Sequence, residues 1–84
     1  MSRILIAEDE ARISSFVEKG LAAAGFATVV VENGLDAVEL VLAGSCDLLV
    51  LDIGLPGIDG YEVMRRLRAA GALLPVIVLT ARTS

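Results

Sequence analysis

The sequence has no histidine and a single cysteine, Cys46. A Cys/His metal site and an internal disulfide framework are therefore excluded, and one lone cysteine is typical of a reducing compartment. Apolar runs long enough to span a bilayer, which takes about 20 residues, are also missing. The opening stretch MSRILIAEDE turns acidic too early for a signal peptide. We therefore expect a cytosolic protein with no membrane contact.

An excess of basic residues is missing as well. Seven basic residues face eleven acidic ones, for a net charge of −4, which argues against binding polyanions through the overall field. The one basic cluster, Arg65, Arg66 and Arg68, is interpreted as the solvated face of a helix. Apolar residues make up 56% of the 84 positions and mean hydropathy is +0.78, so the chain has enough apolar residues to form a hydrophobic core. This length and composition predict one folded domain that does not itself contact nucleic acid.

Short β-rich runs alternate with segments of helical period. The apolar run Ile4 to Ala7 predicts a strand buried on both faces, and similar runs predict strands over 27–31, 48–51 and 76–79. Apolar residues at helical spacing predict three helices between these strands: Ile13, Phe16, Val17, Leu21 and Ala24 for the first, Ala37, Val38, Val41 and Leu42 for the second, and Val63, Met64 and Leu67 for the third. Asn33 with Gly34 and Asp59 are expected to begin the second and third helices, and Gly25, Gly44 and Gly71 to end the three in turn. This order predicts a parallel sheet with helices on its faces, which is an α/β fold.

Polar side chains stand directly after the predicted strands. Glu8 and Asp9 follow the first strand, Asp52 follows the third and Thr80 the fourth, whereas Glu32 after the second is interpreted as a solvated loop residue. Ligands of open α/β sheets bind at the carboxyl ends of the strands, so the three acids would share a pocket if the first and third strands are neighbours. A hard divalent cation would then offset their repulsion. For each acid alone, a solvated carboxylate at a loop end remains the alternative.

An apolar strand that ends in aspartate also occurs in nucleotide-binding proteins and in phosphatases. A Walker B strand ends this way, but no G-x-x-x-x-G-K-[ST] motif is present to hold a nucleotide. A dinucleotide-binding fold would have G-x-G-x-x-G after the first strand, where the sequence reads EDEARIS. A phosphatase with an aspartyl nucleophile would be expected to have Asp-x-Asp there, where the sequence has Glu8, Asp9 and Glu10. None of these three protein classes fits the residues present.

The motifs ILIAEDE, LLVLDIGLPGIDGYEVMRRLR and PVIVLTA together resemble the receiver domains of bacterial two-component response regulators. The resemblance covers the whole chain and implies a flavodoxin-like, doubly wound sheet with strand order 2-1-3-4. It implies that Asp52 is the phosphoacceptor, which takes a phosphoryl group from a phosphohistidine on a sensor histidine kinase. No catalytic residue beyond Asp52 is implied, so we do not expect an enzyme.

The same resemblance implies roles for the other residues at the strand ends. Glu8 and Asp9 match the acidic pair that holds Mg²⁺, together with Asp52 and the backbone carbonyl of Gly54. Thr80 matches the switch hydroxyl that turns toward the phosphoryl group. Ala81 matches the small residue that leaves room beside it.

Complete receivers continue through a further helix, strand and helix, which bring a lysine and an aromatic residue to the site. The one lysine here, Lys19, lies in the first predicted helix and does not match that position. We therefore expect residues 1–84 to be a single receiver domain truncated at its C-terminus, which self-associates and is poorly phosphorylated. The motif details are most similar to receivers of winged-helix transcription factors, which implies a parent protein that binds DNA. A stand-alone or degenerate receiver that serves as an interaction module is the alternative.

Overall fold

The computed structural model describes residues 2–79 and contains the expected alternation of strands and helices. Its elements are β1 (Arg3–Ala7), α1 (Ala11–Ala23), β2 (Ala27–Val31), α2 (Gly34–Leu42), β3 (Leu48–Asp52), α3 (Gly60–Ala69) and β4 (Val76–Leu79). Each of the four predicted strands and three predicted helices is present; β2 and β4 have the predicted bounds, and β1 begins one residue earlier than predicted. The third strand is one residue longer than predicted, because Asp52 still pairs with Leu79 of β4.

The four strands form one parallel sheet in the order β2-β1-β3-β4. This order confirms the predicted 2-1-3-4 arrangement and makes β1 and β3 neighbours, with Ala7 opposite Leu51. The carboxyl ends of β1 and β3 therefore lie side by side. The residues that follow these two central strands, Glu8 and Ile53, begin loops that lie side by side at the carboxyl edge of the sheet.

The central strands are buried on both faces, as their continuous apolar runs predict. On one face, Leu5, Leu49 and Leu51 pack with the buried residues Val63 and Leu67 of α3 and with residues of α2. The other face carries a smaller cluster, which is formed by Ile4, Ile6 and Val50 with Val17 and Leu21 of α1 packed against them. No helix within residues 2–79 combines the length and the apolar character that a membrane crossing requires.

Helix α1 is present as predicted, but not all of the apolar residues at helical spacing face the sheet. Phe16 is 79% exposed, whereas Val17 and Leu21 pack against the sheet and Ser14 is the buried residue of the helix. Successive residues of a helix are about 100° apart, so a helix seated on Val17 and Leu21 turns Phe16 away from the sheet. The prediction that Phe16 belongs to the inward face was therefore wrong.

The predicted helix ends are confirmed. The side chains of Asn33 and Asp59 accept hydrogen bonds from the backbone N–H groups of Asp36 and Glu62, each at 2.9 Å. Each helix is followed within two residues by a glycine with positive φ, which lies in the left-handed region that favours glycine: Gly25, Gly44 and Gly71. The basic cluster also lies on α3 as predicted, where Arg65 and Arg66 both bond the Glu62 carboxylate.

Candidate acidic site at the carboxyl edge of the sheet

Three carboxylates gather where β1 and β3 end. Glu8 and Asp9 follow β1, Asp52 is the last residue of β3, and carboxylate oxygens of the three lie within 4.8 Å of one another. The pairing of β1 with β3 produces this cluster, because it aligns the ends of two strands that are far apart in sequence. The structure therefore brings together the three acids that the sequence analysis placed in one pocket.

Glu8 is the most buried member of the cluster, with 3% of its surface exposed. Its carboxylate accepts a hydrogen bond from the Glu10 backbone N–H at 3.0 Å, and its own N–H donates to the Val31 carbonyl at 3.0 Å. Burial raises the pKa of Glu8 from 4.5 to about 7, with a further contribution from the nearby charge of Asp52, while the Glu10 N–H opposes both effects. The charged form of this side chain is therefore disfavoured unless a cation stands beside it.

Asp52 is half-buried and is oriented by the loop that follows it. The backbone N–H of Gly54 donates to Asp52 Oδ1 at 3.2 Å. Asp9 is exposed at the rim of the cluster. The site thus has one buried, one half-buried and one exposed carboxylate, so a ligand can reach it from solvent on the side of Asp9.

The loop from Ile53 to Asp59 is held by several local contacts. Leu55 is buried in the core, and Gly57 has a φ of +80°, where a residue with a side chain would be strained. The N–H of Gly60 donates to the Ile53 carbonyl at 2.8 Å and closes the loop. With the Asp59 cap on α3, these contacts fix the backbone that passes beside Asp52.

Within residues 2–79, no basic side chain forms an ion pair with the acidic cluster. Both ion pairs of this part of the chain join Glu62 to arginines of α3. Lys19 lies on α1, as predicted, and is exposed. Oxygen ligands at this spacing, without a protein cation from the described residues to neutralise them, are the ligand set of a hard divalent ion such as Mg²⁺. The residues present fit such an ion.

The two predicted switch residues, Thr80 and Ala81, lie outside the described residues. Sequence reasoning missed the close approach of α2 to the loop after β3, where Gly34 contacts Ile58. A signal was available, because Gly34 follows the capping residue Asn33 inside the first turn of α2, where glycine has no capping role.

Comparison with known proteins identifies similar chains of one kind. The family described as response regulator receiver domain matches residues 4–84. The chain is 40% identical over 79 residues to the transcriptional regulatory protein CusR of Escherichia coli K12, which covers 94% of this chain and 35% of CusR. It is 46% identical over 82 residues to the transcriptional regulatory protein TctD of Salmonella typhimurium LT2, which covers 98% of this chain and 37% of TctD. The chain thus spans about a third of the length of these curated relatives.

Solved structures agree with these matches. The response regulator TrrA from Thermotoga maritima, in complex with Mg²⁺ and a beryllium fluoride, has a TM-score of 0.90 and 36% identity, over 99% of this chain and 72% of that chain. The MaeR response regulator bound to beryllium trifluoride has a TM-score of 0.88 and 31% identity, over 100% of this chain and 70% of that chain.

Proposed function

Because the chain belongs to the response regulator receiver domain family, we propose that Asp52 accepts a phosphoryl group from a phosphohistidine on a sensor histidine kinase. The observation that carries this proposal is the convergence of Glu8, Asp9 and Asp52 at one edge of the sheet. Of the three acids, Asp52 is the one that the Gly54 N–H orients at the end of the central strand β3. Glu8 is buried and Asp9 is exposed at the rim, so Asp52, which is half-buried and held by this bond, is the best-placed nucleophile.

The transfer balances without any further reactant. An oxygen of the Asp52 carboxylate attacks phosphorus, and the bond between phosphorus and the histidine nitrogen breaks. The electron pair of that bond stays with the imidazole, and the product at Asp52 is an acyl phosphate. Positioning and neutralisation of charge on the phosphoryl oxygens supply most of the catalysis in such transfers. The chain contributes the positioning through the hydrogen-bonded backbone around Asp52.

We propose that Mg²⁺ is the resident cofactor and that Glu8, Asp9, Asp52 and the backbone carbonyl of Gly54 hold it. When bound, Mg²⁺ neutralises developing charge on the phosphoryl oxygens. Support comes from the oxygen-only ligand set and from the raised pKa of Glu8, which reflects an uncompensated buried carboxylate. TrrA, a structural neighbour, was solved with Mg²⁺ and a beryllium fluoride.

The output is proposed for the longer protein to which such a receiver would belong. Relatives such as CusR and TctD are named transcriptional regulatory proteins, and this chain covers about a third of each. We propose that phosphorylation of Asp52 turns the hydroxyl of Thr80 toward the phosphoryl group, with Ala81 leaving room beside it, and so controls a DNA-binding output. This role for Thr80 and Ala81 rests on the sequence motif alone.

For the 84-residue chain by itself we propose self-association through β4. Within residues 2–79, β4 pairs only with β3, and Ile77 and Val78 are 53% and 46% exposed. The strand VIVL carries no charge or proline to block pairing with another chain. On the α1 side of the sheet, Ile77 also borders an apolar groove with Leu21 and Phe26. Both features favour contact with a second copy.

Intact-mass spectrometry after treatment with acetyl phosphate and Mg²⁺ tests the phosphoacceptor. A fraction of the wild-type chain should gain one phosphoryl group, because poor labelling is expected of residues 1–84, and Asp52→Asn should gain none. Glu32→Gln is the matched control, because Glu32 is an exposed acid that follows β2 at the same edge of the sheet. It should be labelled like the wild type. A phosphoryl adduct that persists in Asp52→Asn would refute the assignment.

A further inference from the structure

Gly34, the first residue of α2, has no room for a side chain. A Cβ at this buried position would lie 2.5 Å from the backbone oxygen of Ile58, 2.6 Å from its Cγ1 and 2.8 Å from Cγ2 of Val63. Gly34 is not among the glycines with positive φ, so its backbone conformation does not demand glycine. The requirement is one of space, and the nearest atom belongs to the backbone of the loop that follows β3.

The other end of that loop is packed against a second glycine. A Cβ at Gly60 would lie 2.8 Å from Cα of Ile53 and 2.9 Å from the backbone oxygen of Asp52. Segment 53–59 is thus closed at one end by Gly60, under Asp52 itself, and seated at the other end on α2 through Gly34. A side chain at position 34 would force Ile58 or α2 to shift, and a shift of Ile58 would displace this short segment.

Gly54 lies within this segment and is the residue whose backbone meets Asp52. Its N–H donates to Asp52 Oδ1 at 3.2 Å, a length at which a small shift of the loop weakens the bond. We propose that Gly34 is a positioning residue for the phosphoacceptor site, which sets the place of the Gly54 backbone by letting α2 approach Ile58. This inference rests on the proposed function, because it assumes that the Gly54 carbonyl and Asp52 bind Mg²⁺.

Gly20 is a helical glycine that lacks the crowding found at Gly34. Gly20 lies within helix α1, also without positive φ, and a Cβ there would meet nothing within 4 Å. Alanine is the better helix former of the two residues, so Gly20→Ala should be tolerated or stabilising. Gly34→Ala makes the same chemical change at a helical position and differs in what the new methyl group meets.

The test is Mg²⁺ binding to the 84-residue chain, measured by calorimetric titration at a temperature where circular dichroism shows each variant folded. Gly34→Ala should bind Mg²⁺ about 10- to 100-fold more weakly than the wild type, the range typical of residues that support metal ligands. Gly20→Ala should bind like the wild type. Thermal unfolding with and without Mg²⁺ separates positioning from stability alone, because a purely structural defect leaves the Mg²⁺-induced rise in Tm unchanged.

A second variant decides the matter if Gly34→Ala does not fold. Ile58→Ala removes the side chain that rests on Gly34 without adding an atom at the contact, and it should also weaken Mg²⁺ binding. Wild-type affinity in Ile58→Ala, or in a folded Gly34→Ala, would overturn the inference while leaving the proposed function intact. A wild-type chain that binds no Mg²⁺ would overturn the proposed function and this inference with it.

Discussion

Replacing Glu8 with glutamine should stabilise the metal-free protein at neutral pH and remove part of its pH dependence. Glu8 is 3% exposed and its pKa is raised from 4.5 to about 7, so the folded state retains a proton that the unfolded chain has lost. Each unit of difference in pKa between the folded and unfolded states is worth about 1.4 kcal/mol. The gain in free energy of unfolding from Glu8→Gln is therefore at most about 3 kcal/mol. Glutamine carries no charge, and its amide oxygen can still accept the Glu10 N–H.

The sign of the effect follows from which state binds the proton. Between pH 4.5 and 7 the folded protein holds the Glu8 proton and the unfolded chain does not, so wild-type stability should fall as pH rises through this window. Glu62 behaves in the opposite way, because the arginines beside it lower its pKa to about 2. The stability that the charged Glu62 contributes is present above pH 4.5 and is lost as the pH falls toward 2. It therefore does not mask the effect of Glu8 between pH 4.5 and 7.

Thermal unfolding followed by circular dichroism at about pH 4.5, 6, 7 and 8, in a chelating buffer, would measure this effect. For a domain of this size 1 kcal/mol corresponds to about 4–8 °C in Tm, so the Tm of Glu8→Gln at pH 8 should exceed that of the wild type by at most about 12–24 °C. Saturating Mg²⁺ should narrow the gap, because it favours the charged form of Glu8. Glu39→Gln, on an exposed position of α2, is the control. Two results would refute the reasoning. One is a wild-type Tm that rises from about pH 4.5 to about pH 7, and the other is a Glu8→Gln Tm no higher than that of the wild type at about pH 8.

Three further predictions concern the metal, the switch and the open edge of the sheet. We expect calorimetry to detect weak binding of Mg²⁺ or Ca²⁺ to the wild type, and Asp9→Ala should abolish it but leave the fold intact, because Asp9 is exposed; unchanged affinity would remove Asp9 from the ligand set. Thr80→Ala in the longer protein should retain Mg²⁺ binding and weaken the dependence of transcriptional output on phosphorylation, measured with a reporter; an undiminished response would exclude the switch role. The 84-residue chain should show a mass that increases with concentration in light scattering, and Ile77→Lys, which places a charge on β4, should reduce it. A monomeric wild-type mass at high concentration with a cooperative melt would mean that β4 and the apolar groove beside it do not drive association.

Local sequence patterns were sufficient for the elements and most of their ends. The central strands are recognisable because a run such as Ile4 to Ala7 is apolar on both faces, which only a strand covered on two sides requires. Asn33 and Asp59 are recognisable because a capping side chain bonds the backbone of its own first turn, as both do here. The acids of the site are recognisable because the carboxyl ends of parallel strands are where such folds bind ligands.

Tertiary packing decided what these patterns left open. Helical spacing places Phe16 on the apolar stripe of α1, but the way the helix sits on Val17 and Leu21 leaves Phe16 exposed. Helical spacing predicts which side chains lie on the same face of a helix. It does not predict which part of that face packs against the sheet.

The acidic site also has features that the sequence predicts and features that depend on tertiary packing. Glu8, Asp9 and Asp52 could be named from the sequence, since each follows or ends an apolar strand. Their approach to within 4.8 Å, and the burial that raises the pKa of Glu8, arise because β1 and β3 pair in one register. The contact between Gly34 and Ile58 joins elements that are distant in sequence, and whether a methyl group fits there depends on small differences in distance. Such a distance is a property of the packed core and is not encoded in any local pattern of residues.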